Sequence, residues 1–327
     1  MTLEQPEAFK APLAPGEAPY FAPASKDKLY KFGVKLETSL TRNQVMRLVS
    51  LAYLELFKFS GIKNVRAVES ARMELPLLAE HYPDLVPLFL TGLERFKGRI
   101  IIDDAYAVCA KCDDSIGENV AVTTWEGSRL PRFVAEGFKK FREVWVPSEA
   151  AQSALRDVSV PVYVIRPLVP VKSGPLPVRT PQLNLILFAT EALRDEAFNV
   201  VRAYVERYTR ADAVVLHVAT PQVNWPPLKE FLKGLPPTAP FVTPVNIDLS
   251  NPEVAMTWFN QMDAAIVDSD GGWNIAEHWA SAYGVPVYRE IPLRLGRFGT
   301  SPRLTLKGID DMALHARWEA LGWSLGL

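Results

Sequence analysis

The sequence has little cysteine, no excess of charge of either sign and no long apolar run. Only two of its 327 residues are cysteine, which excludes a small secreted scaffold built on disulfides. The net charge is −1 without a basic block, which argues against a dedicated nucleic-acid binder. No apolar run approaches the length of a membrane-spanning helix, and the first residues lack a signal-peptide pattern. We therefore expect a cytoplasmic protein, with peripheral attachment to a membrane left open.

The composition is that of a globular protein, with 48% hydrophobic and 22% charged residues. A mass of 36.5 kDa is enough for two domains with cores of their own. Apolar runs of strand length alternate with helical periodicity, which predicts α/β units on parallel sheets. Among them we predict a helix over 42–59 capped by Thr41, a helix over 75–96 broken at Pro83 and Pro87, and a strand over 143–146. We predict a proline-rich arm at residues 1–27. Two Rossmann-like domains follow, at 28–170 and 182–305, with a linker at 171–181 between them. A final helix ends the chain at 306–327. A cleft between two such domains is a usual ligand site.

The most informative stretch runs from Met262 to Tyr288. In it an apolar strand stops at Asp268-Ser269-Asp270-Gly271-Gly272, and a helix pattern follows. Ligands of open parallel sheets bind at the carboxyl ends of strands, and a helix N-terminus there favours an anion. One interpretation is therefore that the amides of Gly271 and Gly272 cradle a phosphate. The alternative is a tight strand-to-helix turn without a ligand, since paired glycines are ordinary turn residues.

Three passages together are similar to a known family. They are TTWEGSRLP at 123–131, EVWVPSEAAQSAL at 143–155 and DAAIVDSDGGWNIAEHWASAYGVPV at 263–287. They resemble motifs of the retaining nucleotide-sugar glycosyltransferases of GT-B fold, the group that includes sucrose and mannosyl transferases. The likeness covers roughly residues 120–290.

The resemblance implies two Rossmann-like domains that face each other across a cleft. The second would hold a nucleotide-sugar, and the first an acceptor glycan, lipid or protein. The sugar would move to an acceptor hydroxyl with retention. The nucleotide-sugar is the donor substrate, and neither a cofactor nor an obligatory metal is expected. Assembly into a homo- or hetero-oligomer is left open.

The donor motif departs from the family pattern. With Trp273 set on the family's aromatic residue and Gly284 on its final glycine, the two glutamates that hold the donor in the family fall on Gly271 and Trp279. Asp270 and Glu277 lie one or two residues out of register. Asp270 is in the loop, where a small backbone change brings it into place, whereas Glu277 needs a helix shift because each helical residue turns by about 100°. The missing carboxylates favour an alternative, a catalytically degenerate GT-B protein that acts as a partner subunit or binding module.

The segment that would neutralise the donor diphosphate is also altered. The family carries an arginine and a lysine there; this chain has Arg194, with Asp195 in place of the lysine. Arg194 is either a phosphate clamp or a solvated helix residue. Thr190, in the same segment, is assigned to the donor site with it. A carboxylate beside a diphosphate is repulsive, so Asp195 weighs against tight binding.

Three other residues have two interpretations each. Trp273 either stacks on a ligand or packs in the cleft wall. Asn274 either caps its helix, the favoured role, or bonds a sugar hydroxyl. Glu126 either contacts acceptor hydroxyls or pairs with Arg129. In the first case Glu126 and Asp270 are the catalytic residues.

The two cysteines form a single C-x-x-C motif, Cys109 and Cys112. This motif is half of a zinc site, a redox pair or two free thiols, and the absence of a second C-x-x-C favours free thiols. The four histidines do not have the spacing of metal ligands relative to this motif. For His278 we favour a structural role over contact with the donor. No G-x-G-x-x-G follows the first strand of either half, which argues against a nicotinamide-dependent oxidoreductase.

Overall fold

The computed structural model describes residues 29–69, 75–112, 117–171, 182–189, 195–267, 272–273, 275–288 and 310–323. The predicted proline-rich arm and, from residue 172 on, the predicted linker lie outside these ranges. In the described part the strands form two parallel sheets, of six and five strands. None of the described helices has the length and apolar character that crossing a membrane requires.

The first sheet has the strand order β2-β1-β3-β4-β5-β6 and the second β11-β10-β7-β8-β9. The strands are β1 (Leu29–Thr38), β2 (Val65–Glu69), β3 (Gly92–Ile102), β4 (Glu118–Val122), β5 (Glu143–Val146), β6 (Val162–Val164), β7 (Leu183–Phe188), β8 (Val214–Ala219), β9 (Phe241–Val245), β10 (Ala264–Ile266) and β11 (Val287–Tyr288). The order of the second sheet reverses between β7 and β10, which is where open α/β sheets bind ligands. The predicted parallel α/β architecture is therefore confirmed.

Helices connect the strands, as parallel pairing requires. They are α1 (Gln44–Ser60), α2 (Leu75–His81), α3 (Val86–Leu90), α4 (Ala105–Lys111), α5 (Arg132–Gly137), α6 (Glu149–Ala154), α7 (Asp195–Arg207), α8 (Trp225–Lys233), α9 (Pro252–Gln261), α10 (Ile275–Ala282) and α11 (Asp310–Ala320). Short 3-10 turns occur at Pro83–Leu85, Phe138–Lys140 and Gln222–Asn224.

Helix α1 is the long buried helix of the first unit, and its start differs from the prediction. The side chain of Asn43 caps it by accepting the N–H of Met46 at 2.8 Å. Thr41, the predicted cap, donates its hydroxyl to Glu69 instead. The helix ends at Gly61, whose φ of 71° suits a residue without a side chain.

The segment predicted as a helix over 75–96 is helical only to Leu90. Pro83 interrupts it, as predicted, and opens a 3-10 turn, whereas Pro87 lies in the first turn of α3 and does not break that helix. Strand β3 begins at Gly92, so the last five residues of the predicted helix are extended. They pair with β1 over Leu29 to Gly33, and this long-range pairing overrides the local preference.

One apolar cluster joins the two units. It includes Trp145 of β5 and Trp279 of α10, each nearly inaccessible. Helix α11 returns to the first unit, where Trp318 packs edge-on against Phe57 of α1 with ring centroids 5.7 Å apart. Apolar burial of this extent holds the two sheets in contact.

Candidate functional site

The candidate site is the crevice where the carboxyl ends of the two sheets meet. The hydrogen bonds that side chains make across it, among the residues the structure describes, include Gln44 Nε2 to Ile247 O at 2.6 Å, Tyr82 OH to Ser250 O at 2.7 Å, and Thr124 Oγ1 to Gly272 O at 2.9 Å. Gln44 opens the helix after β1, and Thr124 follows β4. Their partners follow β9 and β10. The strand ends of one sheet therefore face those of the other.

Gly272 is held by the first unit. Its carbonyl accepts the Thr124 hydroxyl, and its N–H donates to Trp125 O at 3.4 Å. With φ at 77°, a side chain there would be strained, and a Cβ would lie 2.9 Å from Glu126 Cγ. The Gly272 amide is thus bonded to the loop after β4, and its contact with a ligand phosphate stays a prediction. The crevice is closed at this turn.

The two tryptophans beside this turn are core residues. Trp273 is 8% exposed and Trp279 is 1% exposed, and both belong to the apolar cluster that spans the units. Trp273 therefore packs in the crevice wall, and its contact with a ligand stays a prediction. Trp279, which falls on the position of the family's second glutamate, is a buried indole.

Helix α10 presents two titratable side chains near the crevice. Glu277, in its first turn, is half-buried, and burial raises the pKa of its carboxyl. Burial, assisted by the positive charge of Arg166, lowers the pKa of His278 to about 4. His278 is thus neutral at physiological pH, and its Nε2 is buried without a hydrogen-bond partner among the described residues. Chemically, Glu277 retains a proton more readily than an ordinary glutamate.

Glu126 is exposed on the loop after β4, at the edge of the crevice. Arg129, which the sequence offered as its ion-pair partner, pairs with Asp157 at 2.5 Å. Glu126 also has an interaction of its own within the protein. Its position next to Gly272 places a carboxylate on the first unit's side of the turn at Gly272.

Five predicted site residues lie outside the described ranges: Thr190, Arg194, Asp270, Gly271 and Asn274. Their roles stay predictions. In the described part of the chain, no group of three or more histidine, cysteine or acidic residues is placed to hold a metal ion. The expectation that no metal is obligatory stays a prediction as well.

The first unit's hydrogen-bonding residues in the crevice were not predicted from the sequence. Thr124, Gln44 and Tyr82 all donate to backbone carbonyls of the second unit. Thr124 and Gln44 follow strands, and a polar residue just after a strand end was the available signal. Asp103, buried after β3 in an ion pair with Lys111 at 2.7 Å, was not predicted either.

The cysteines are unbridged in the structure. Burial raises the pKa of the Cys109 thiol to about 11, and the neighbouring Cys112 adds to the effect. A thiol in this state is a weak nucleophile at neutral pH. This agrees with the free-thiol interpretation and gives the pair no part in the crevice.

Comparison with known proteins assigns the fold. Neither a protein-family profile nor a curated protein matches the sequence. Anabaena HepE, solved in complex with UDP and glucose, is 12% identical over 79% of this chain and 80% of its own, with a TM-score of 0.50. The lipopolysaccharide galactosyltransferase WaaB is 13% identical over 90% and 91%, with a TM-score of 0.47. S. aureus TarM is 14% identical over 58% and 40%, with a TM-score of 0.42.

The likeness to HepE confirms the GT-B arrangement of two Rossmann-like units. The chain spans less than half the length of TarM. Identities this low show the fold alone, since one fold hosts many functions.

Proposed function

We propose that this protein is a glycosyltransferase that binds a nucleotide-sugar between its sheets and moves the sugar to an acceptor hydroxyl with retention. The observation that supports this is the facing of strand ends across the crevice, marked by the Thr124–Gly272 hydrogen bond. HepE, which shares the arrangement, was crystallised with UDP and glucose. Such a crevice is the usual ligand site of paired α/β units.

In the proposed reaction, the bond between the anomeric carbon and the diphosphate breaks, and the diphosphate leaves with the electron pair. The acceptor oxygen bonds to the same face of the sugar and loses its proton to a base. Arg194 and the amides of Gly271 and Gly272 stabilise the charge that develops on the diphosphate. Glu126 and Asp270 are the carboxylates proposed to act at the reacting centre.

The closed turn sets a condition on this proposal. The Gly272 amide donates to Trp125 O at 3.4 Å, which is long for an N–H···O bond. A diphosphate offers a stronger, charged acceptor. Donor binding therefore requires Gly272 to part from the loop after β4, and the structure represents the closed state.

A nucleotide panel tests the proposal. Uridine, guanosine and adenosine diphosphates and their sugars should include one that raises the unfolding temperature in a concentration-dependent way. Arg194→Ala should abolish that shift. Arg207→Ala, a matched control at the exposed end of α7, should keep it. Incubation of the bound nucleotide-sugar with acceptors, followed by NMR of the anomeric proton, distinguishes retention from inversion.

A second function has an observation of its own in its favour. Trp279 is buried where the family places a donor-binding carboxylate, and Gly272 is bonded to the first unit through both its N–H and its carbonyl. These contacts suit a non-catalytic GT-B protein that serves as a partner subunit or binding module. If no nucleotide or nucleotide-sugar of the panel shifts the unfolding temperature, this second function replaces the first.

A further inference from the structure

One stretch of the first unit concentrates positive charge, although the chain as a whole carries a net charge of −1. Residues 129–142 contain a single carboxylate, that of Glu136, and five exposed cations. The cations are Arg129, Arg132, Lys139, Lys140 and Arg142. The stretch comprises the end of the loop after β4, helix α5 and the 3-10 turn that follows α5. The fold therefore presents these cations to solvent on one segment of the surface.

The carboxylates that pair with these cations are too few to neutralise them. Among the described residues, the ion pairs are Arg129–Asp157 at 2.5 Å, Lys139–Glu136 at 2.5 Å and Arg142–Glu118 at 3.7 Å. Arg132, whose side chain is 95% exposed, lies 4.0 Å from the same Glu136. Five cations thus stand against three carboxylates, which leaves an excess of two positive charges. Exposed ion pairs of this kind are weak, so the paired side chains stay available to another anion.

A cavity opens between these cations. It has a volume of about 690 Å³, and Arg129, Arg132 and Lys139 are part of its lining. Glu136 and Asp157 also line it, so the lining carries three positive and two negative charges. Arginine binds phosphate through two parallel N–H groups, and lysine binds it as a point charge. The cavity therefore suits a phosphate group that is attached to a larger molecule.

Exposed aromatic rings stand beside the cations. Phe133, next to Arg132 in the first turn of α5, is 70% exposed. Tyr106, in the first turn of α4, is 51% exposed, and the two ring centroids lie 6.0 Å apart. Single exposed rings are common, whereas adjoining apolar side chains rimmed by charge mark an interaction surface.

We propose that this basic-aromatic patch, defined as Tyr106, Arg129, Arg132, Phe133 and Lys139, docks the protein on a bilayer that contains anionic lipid. The two rings enter the headgroup region, and the three cations face lipid phosphates at the cavity. The rings decide between the possible sources of phosphate. A free phosphate compound occupies the cavity and leaves Phe133 in water, whereas a bilayer takes up the rings and the cations together.

Sedimentation with vesicles of phosphatidylcholine, with and without phosphatidylglycerol, tests the proposal on the full chain. The protein should bind only the vesicles that contain phosphatidylglycerol, and more weakly as salt is added. Phe133→Ala should weaken this binding about five- to ten-fold, and Lys139→Gln about five-fold. Glu136→Gln removes a negative charge from the cavity and should strengthen vesicle binding about five-fold.

Two variants are matched controls. Phe59→Ala removes a ring that is 52% exposed on α1, outside the basic-aromatic patch. Lys233→Gln, in the second unit, removes a lysine that pairs with Glu230 at 2.7 Å, three residues before it, as Lys139 pairs with Glu136. Both should bind vesicles as the parent does.

The proposal is overturned if phosphatidylglycerol leaves vesicle binding unchanged, if the control variants lose as much affinity as the patch variants, or if Glu136→Gln weakens binding. Displacement of the protein from the vesicles by glycerol 3-phosphate also overturns it, since the cavity then holds a small phosphate compound. Nucleotide binding is a separate measurement, so failure of vesicle binding leaves the proposed function standing.

Discussion

The hydrogen bond from Thr124 to Gly272 tests whether the crevice must open to admit a nucleotide. Thr124 Oγ1 donates to Gly272 O at 2.9 Å, and both residues are buried. Thr124→Val keeps the side-chain shape and removes the donor. The carbonyl then stays buried without its partner, at a cost of about 1–3 kcal/mol. In an open crevice water satisfies that carbonyl, so the closed state alone is penalised.

This penalty should raise the affinity for the nucleotide and lower the stability of the free protein. If the nucleotide binds the open state, a closed state weakened by about 1–3 kcal/mol gives about five- to 150-fold tighter nucleotide binding. The unfolding temperature should fall at the same time. Isothermal titration calorimetry with the nucleoside diphosphate and scanning calorimetry of the free protein measure the two effects.

Two variants serve as controls for Thr124→Val. Thr124→Ser keeps the hydroxyl and should bind the nucleotide as the parent does. Tyr53→Phe removes a buried hydrogen bond of the same kind, Tyr53 OH to Ile165 O at 2.7 Å, inside the first unit. It should lower stability without tightening nucleotide binding. If Thr124→Val lowers stability but leaves nucleotide binding unchanged or weaker, the idea that this contact holds the turn at Gly272 closed is refuted.

Three further predictions concern stability. Gly272→Ala places a Cβ at a φ of 77° against a neighbouring side chain, so chemical denaturation should show a loss of about 1–3 kcal/mol; parental stability would show that the turn relaxes. The pKa of His278 is lowered to about 4, so between about pH 6.5 and 4 the unfolded chain binds a proton that the folded one does not. Stability should therefore be highest above that window and fall by up to about 3 kcal/mol as the pH falls through it, and the difference from His278→Gln should show this slope; a flat difference contradicts it. Arg317→Ala removes the ion-pair partner of Glu143, which is 2% exposed, and should cost about 3 kcal/mol, part of which Arg317→Ala with Glu143→Gln should recover. Equal stability of single and double variants would show that the carboxylate is solvated.

Much of the fold could be predicted because its strands are local apolar runs between turn residues. Strand β5 begins and ends at the predicted residues, Glu143 and Val146, since its run is buried throughout. The start of β3 could not be predicted in this way. Its residues from Gly92 to Phe96 are extended because β1 lies beside them, and a window of neighbouring residues contains no information about that partner.

The candidate site, like the fold, could be predicted from the sequence only in part. Its location at the glycine turn follows from local pattern, and the structure places Gly272 at the crevice. The closed state does not follow, because Thr124 lies 148 residues from Gly272 in the sequence. Whether the Gly272 amide has a hydrogen-bond partner depends on the loop after β4, which is far from it in the sequence.

The position of α11 has a consequence for synthesis on the ribosome. Trp323, just after this helix, fits against the backbone of Gly98 in β3 and is 1% exposed. The amino-terminal sheet is translated first, yet this part of its apolar surface is covered only when residue 323 emerges. Domains usually fold in the order in which they are translated. Here part of the first sheet's apolar surface stays uncovered until the whole second unit has been translated. We therefore expect a nascent chain halted before α11 to recruit chaperones.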